Sequence, residues 1–251
     1  MSRTTLLTVL VAFCFFVSCK KNSSPKTAVN STPAENQVKL YIAEYHSSLT
    51  SNSDSFHISY DNAGRLASAI SSRYKYTYSY PTSTSVVWDF ASGGQPSVHE
   101  VDFFKDGQVD STFRTEGLAD TLTGKYEFNG NFLSKLTLQW GYQGIQSVFM
   151  RVSYTNDNNG NTIKTIQNDE QKSYQYIAEY TYTDKPGPLP VALPTNIPVP
   201  AKNLPSTQVI TYTGNPTRTI TISYGYDDHG RLVKETDMED EKNYTVKSFI
   251  Y

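Results

Sequence analysis

The chain has 251 residues, enough for one large β-domain or two small ones, and a formal net charge of -2 from 22 basic and 24 acidic residues. That balance leaves no electrostatic footprint for nucleic acid. Both cysteines, Cys14 and Cys19, lie at the start of the chain, so disulfides and thiolate metal sites are excluded from its body.

Aromatic surface is plentiful and aliphatic surface scarce: 19 Tyr, 12 Phe and 2 Trp sit within a hydrophobic share of only 37%. This predicts sheets with one wet face rather than a thick aliphatic core. Residues 1–19 read as a secretory signal, with Arg3 at its positive start and an apolar run from Leu6 to Val17. The run is shorter than the ~20 residues that a spanning helix requires. Its end, Phe16-Val17-Ser18-Cys19, resembles a bacterial lipobox, which implies lipidation of Cys19 as the mature N-terminus. The polar start Cys19-Lys20-Lys21-Asn22-Ser23-Ser24-Pro25 is similar to that of Bacteroidota lipoproteins. Residues 20–36, polar and aperiodic, read as a flexible tether to one β-domain over 37–251.

From Gln37 the hydrophobic period is two. Val38, Leu40 and Ile42 point one way, and Tyr41, Ala43 and Tyr45 the other. The stretch Tyr60-Asp61-Asn62-Ala63-Gly64-Arg65-Leu66 reads as a hairpin tip, with Gly in the left-handed position that closes the turn. Tyr74, Tyr76, Tyr78 and Tyr80 then alternate with polar residues, so a strand lines all four up on one face. Further strand runs are predicted at 86–90, 98–104, 132–140 and 148–155, separated by glycine turns. Tyr174, Tyr176, Ala178, Tyr180 and Tyr182 repeat the stripe. Seven prolines between Pro186 and Pro205 exclude a central strand and predict an extended connection over 184–206. The last part returns to hairpins at 207–213, 217–226, 232–236 and 244–251, with a second turn copy at Tyr226-Asp227-Asp228-His229-Gly230-Arg231-Leu232.

No motif carries catalysis. The four histidines lack HExxH spacing, and no nucleophile elbow, phosphate loop or dinucleotide fingerprint is present. The expectation is therefore a non-enzyme without metal or cofactor. Asn156–Asn161 misses the calcium-loop frame and reads as an Asx-rich turn, and Asp237–Glu241 reads as a solvated acidic tip. The candidate working surface is aromatic: Tyr74, Tyr76, Tyr78, Tyr174, Tyr176, Tyr180 and Tyr182, with Trp88 and Trp140. A flat ring with a polar hydroxyl can stack on a sugar or line a lipid site. The competing reading is that these rings only cover a sheet short of aliphatics.

The two Y-D-x-x-G-R-L turns resemble the hairpin units of YD-repeat proteins. A resemblance over most of 37–251 is to uncharacterised Bacteroidota lipoproteins with a domain of unknown function described as porin-like. It is carried by Lys202-Asn203-Leu204-Pro205, by Tyr224-Gly225-Tyr226-Asp227-Asp228-His229-Gly230-Arg231-Leu232 and by the aromatic chain end. It implies an antiparallel, incompletely closed barrel, and some members carry a lipid-binding label. The combined expectation is an all-β antiparallel meander of hairpins, forming a large curved sheet or partly open β-barrel. It would be anchored in the cell envelope, at the outer membrane, and would bind a lipid or glycan on a concave Tyr-rich face. The alternative is a structural or adhesion component without a small ligand. A hydrolase finds no motif. A spanning outer-membrane barrel is opposed by Phe249, Lys247 and Thr245, the residues reached by counting back in twos from Tyr251, which are too polar for a lipid face.

Overall fold

The computed structural model describes residues 37–116, 120–142, 145–172, 174–187, 189, 191 and 199–251. The signal segment, Cys19 and the tether lie outside the described residues. Sixteen strands run in chain order. The first eight are β1 (Leu40–His46), β2 (Ser51–Tyr60), β3 (Leu66–Ile70), β4 (Tyr74–Thr82), β5 (Ser85–Ser92), β6 (Gln95–Lys105), β7 (Gln108–Glu116) and β8 (Asp120–Asn129). The second eight are β9 (Phe132–Tyr142), β10 (Ile145–Asn156), β11 (Thr162–Asp169), β12 (Tyr174–Pro186), β13 (Asn203–Tyr212), β14 (Arg218–Tyr226), β15 (Leu232–Met238) and β16 (Tyr244–Ile250).

Every strand pairs antiparallel with its sequence neighbours, and β1 also pairs with β16 from Leu40↔Ile250 to His46↔Tyr244. The barrel is therefore closed where the sequence allowed an open one. That seam removes both sheet edges and their unpaired backbone groups. Strands β7, β8 and β11 escaped the sequence reading because polar residues interrupt their apolar runs.

Alternation sends one face of each strand inward. Tyr41, Ala43, Phe56, Ala69 and Phe249 are buried in one apolar cluster, while Ser53, Ser55, His57 and Ser59 on the other face of β2 are exposed. A second cluster joins Leu122, Leu136, Leu138 and Val152, and a third joins Tyr176, Ala178, Tyr180 and Ile210. The inner face of β16 carries Thr245, Lys247 and Phe249, the residues the sequence reading had counted as its outer face: Lys247 pairs in register with Ala43. The outer wall is mixed: Gln175, Glu179 and Thr181 are exposed along β12, while Ile70 on β3, Phe103 on β6 and Phe113 on β7 are exposed apolar residues.

One turn design recurs three times at the same end of the barrel, after β2, β10 and β14. Asp61, Asp157 and Asp227 each accept, through Oδ1, the N–H groups two and four residues on. Each also accepts from the side chain at the fourth position: Arg65, Asn161 and Arg231 respectively. The residue between is glycine at φ +78°, +90° and +74°, a left-handed conformation that costs side-chain-bearing residues energy. The run Asn156–Asn161 is thus a third copy, with Asn in place of Arg. In each copy a tyrosine hydroxyl donates to the carbonyl that follows the turn: Tyr80 to Leu66, Tyr182 to Thr162 and Tyr251 to Leu232.

The Pro-rich connection joins β12 to β13 at this same end and does more than connect. Leu189 and Val191 are buried in the cluster of Val38, Leu204 and Leu232, and Val199 in that of Tyr176 and Ile210. Asn161 Oδ1 accepts the N–H groups of Lys202 and Asn203 at 2.8 and 2.9 Å, fixing the returning chain to the third turn. Connections at the opposite end are short, the longest being 213–217 and 239–243.

Candidate functional site

The predicted tyrosine stripes both face inward, but the structure does not bring them together. They occupy β4 and β12, on opposite sides of the ring. On the β4 side the rings form a chain. Tyr41 contacts Phe249 and Phe56 at centroid distances of 5.6 and 5.9 Å, Phe56 reaches Tyr76 at 6.2 Å, and Phe90 lies 4.9 Å from Tyr76 and 5.8 Å from Tyr74. Tyr74 and Tyr76 remain half-buried. Burial pushes the Tyr76 hydroxyl up to about 12. Tyr78 sits deeper, and its hydroxyl finds no partner among the described residues. Burial raises its pKa strongly, so it stays protonated.

On the β12 side, Tyr176 and Tyr180 are buried. Their hydroxyl oxygens both accept from Gln208 Nε2 at 3.3 Å. Tyr174 is half-buried, and Tyr212 stands edge-on to Tyr176 at 4.9 Å. Tyr182 is committed to its turn, with its hydroxyl 2.5 Å from the Thr162 carbonyl. Trp140 meets Phe149 edge-on at 6.3 Å and is half-buried.

Trp88 belongs to a different kind of site. Its indole is 5% exposed and its N–H donates to Glu100 Oε1 at 3.0 Å. Glu100 Oε2 accepts from Arg114 Nε at 2.5 Å, and the Arg114 guanidinium carbon lies 5.1 Å from the Trp88 ring centroid. These residues occupy one transverse row, Tyr78–Trp88–Glu100–Arg114–Leu122–Trp140, across β4 to β9. Burial, and next the charge of Glu100, push the neighbouring Asp102 carboxyl up to about 7.

A second charged row crosses the seam: Tyr224–Glu235–Lys247–Ala43–Asp54. Lys247 donates to Glu235 Oε1 and to Asp237 Oδ2. The predicted acidic tip therefore divides. Asp237 turns inward, Glu239 accepts from Arg218, and only Asp240 caps the turn, accepting the N–H groups of Lys242 and Asn243. Sequence reasoning missed both charged rows. Their signal is the Glu-x-Asp spacing of Glu100/Asp102 and Glu235/Asp237, which puts both carboxyls on one strand face. No group of three metal-ligating side chains forms among the described residues.

No protein-family model matches the chain, and no curated protein does. Solved structures match its architecture, among them two porin-like proteins. A porin-like protein from Bacteroides uniformis superposes with a TM-score of 0.57 at 11% identity, covering 84% of this chain and 96% of its own. A porin-like protein from Bacteroides vulgatus gives 0.57 at 11% identity, covering 86% and 99%. The fold is porin-like. At this identity the likeness concerns the barrel alone, and the inner wall of this porin-like barrel has to be read from its own residues.

Proposed function

We propose that this protein is a non-catalytic cell-envelope component, anchored through lipidated Cys19, whose barrel holds a lipid or glycan against half-buried aromatic rings. One observation carries the reading. Tyr74, Phe90, Trp140, Phe149, Tyr174 and Tyr212 line the inner face towards the end opposite the Pro-rich connection, and none is fully buried. Short connections at that end leave such rings within reach of a ligand. A barrel that sits in water rather than spanning the bilayer is supported by the polar stretches of the outer wall, Ser53–Ser59 on β2 and Gln175–Thr181 on β12, which interrupt its exposed apolar residues where a spanning barrel needs a continuous outward apolar band. Native mass spectrometry of the protein purified from its own membranes tests the idea. A retained lipid or glycan that Tyr74→Ala with Tyr174→Ala releases is the expected result. Mass peaks of the bare polypeptide alone would leave the reading without support.

A structural role without a small ligand is favoured by a separate set of contacts. Tyr80, Tyr182, Tyr224 and Tyr251 spend their hydroxyls on backbone carbonyls, and Trp88, Tyr176 and Tyr180 are packed away. For these residues the aromatic content builds the wall.

A further inference from the structure

The seam of the barrel contains more negative than positive charge. Glu235 is 1% exposed, Asp237 14% and Lys247 13%. Two carboxyls thus share one ammonium in a nearly dry interior, where an uncompensated charge is costly. Lys247 takes Glu235 Oε1 and Asp237 Oδ2. The other two oxygens, Glu235 Oε2 and Asp237 Oδ1, are buried with no donor among the described residues. Because a single ammonium contacts both, the two carboxyl groups lie side by side on the inner face of β15. The remaining titratable groups around them are Tyr224 on β14, opposite Glu235, and Tyr41 and Tyr45 on β1. Asp54, beyond Ala43 on β2, is already paired with Arg73 at 2.9 Å.

We propose that the barrel seam holds a proton-binding site, in which Glu235 and Asp237 share one proton beside Lys247. That proton gives both orphaned oxygens a partner and makes the three-residue set neutral. A metal ion would have to displace the ammonium that already occupies the other two oxygens. Burial raises the Glu235 carboxyl to about 7, with Lys247 opposing and Asp237 adding to the shift, so the site empties near neutrality. Once it is empty, two carboxylates repel each other on the strand that pairs with β16, whose other edge closes the barrel on β1. The seam is thereby weaker on the alkaline side.

Glu235→Gln imitates the loaded site, because its amide keeps an oxygen for Lys247 and offers an N–H to Asp237. Thermal melting of the full-length protein at about pH 5.5 and about pH 8.5 reads the effect. The lead of the variant over wild type should be small at the acid value and clearly larger at the alkaline value, because wild type loses this stability as pH rises from the unfolded to the folded carboxyl value. A gap of equal size at both values, in either direction, overturns the proposal. So does a rise in melting temperature with added calcium that Glu235→Gln abolishes. Should the variant not fold, infrared spectroscopy of Asp102→Asn isolates this pair, because Asp102 is the other carboxyl held high. A protonated-carboxyl band at about pH 6 that fades by about pH 8.5 is expected, and its absence at both values overturns the proposal.

Discussion

Arg231 stacks on Tyr251, its guanidinium carbon 4.5 Å from the ring centroid. The same pairing recurs twelve strands earlier, where Arg65 lies 3.9 Å from the ring of Tyr80. In both, the arginine is held by the turn aspartate and the tyrosine hydroxyl returns to the residue after the arginine. Turn, cation and ring form one unit that pins a hairpin to the strand that follows it. Tyr251→Phe keeps the ring and loses only the bond to Leu232, so it should cost about 1 kcal/mol of stability in urea unfolding. Tyr251→Ala should cost more, because the stacking goes too.

The three turn glycines separate strain from crowding. A Cβ at Gly230 meets nothing within 4 Å, whereas at Gly160 it would stand 2.7 Å from Phe132 Cε1. Both have positive φ. Gly230→Ala should lose about 1–2 kcal/mol from conformation alone. Gly160→Ala should lose clearly more, a difference that melting temperatures of the two variants will show.

Arg114 neutralises Glu100 in a buried site, with side chains 5% and 8% exposed. Arg114→Met strands a buried carboxylate and should cost about 3–5 kcal/mol. Combining it with Glu100→Gln should recover most of that loss. A double-mutant cycle in urea measures the coupling, and additive losses would contradict it.

Asp102 makes stability depend on pH in the direction opposite to that of most carboxylates. The folded protein holds its proton up to about 7, while an unfolded chain releases it near the ordinary aspartate value. Between those values the native state binds more protons, so stability falls as pH rises and levels off above the folded value. The slope from this one group is at most about 1.4 kcal/mol per pH unit. Asp102→Asn should flatten that part of the profile, as urea midpoints across the mildly acidic range will report.

Asn161 fastens the returning Pro-rich chain through two backbone N–H groups and is almost fully buried. Asn161→Ala leaves both donors of Lys202 and Asn203 without that acceptor and should cost about 1–3 kcal/mol. Hydrogen exchange should then quicken at Lys202 and Asn203 before it does in β4 or β12.

The alternation of Tyr74–Tyr80 and Tyr174–Tyr182 was enough to establish strands, because only a period of two puts four tyrosines on one face. The two Y-D-x-x-G-R-L turns likewise determined their own geometry, since the aspartate, the arginine and the left-handed glycine act within five residues. The run Asn156–Asn161 was legible as an Asx-rich turn, but its kinship with the other two stayed hidden because Asn161 replaces arginine, keeps the aspartate contact and redirects its oxygen to residues 202 and 203. Three features were decided only by the tertiary structure: closure of β1 on β16, entry of Leu189 and Val191 into the core, and the pairing of Glu100 with Arg114 and of Glu235 with Lys247. These depend on which strands become neighbours and which face turns inward. A local period shows that two residues share a face, but it does not show which side of the wall that face will line. For Lys247 that choice separates an exposed charge from a buried one.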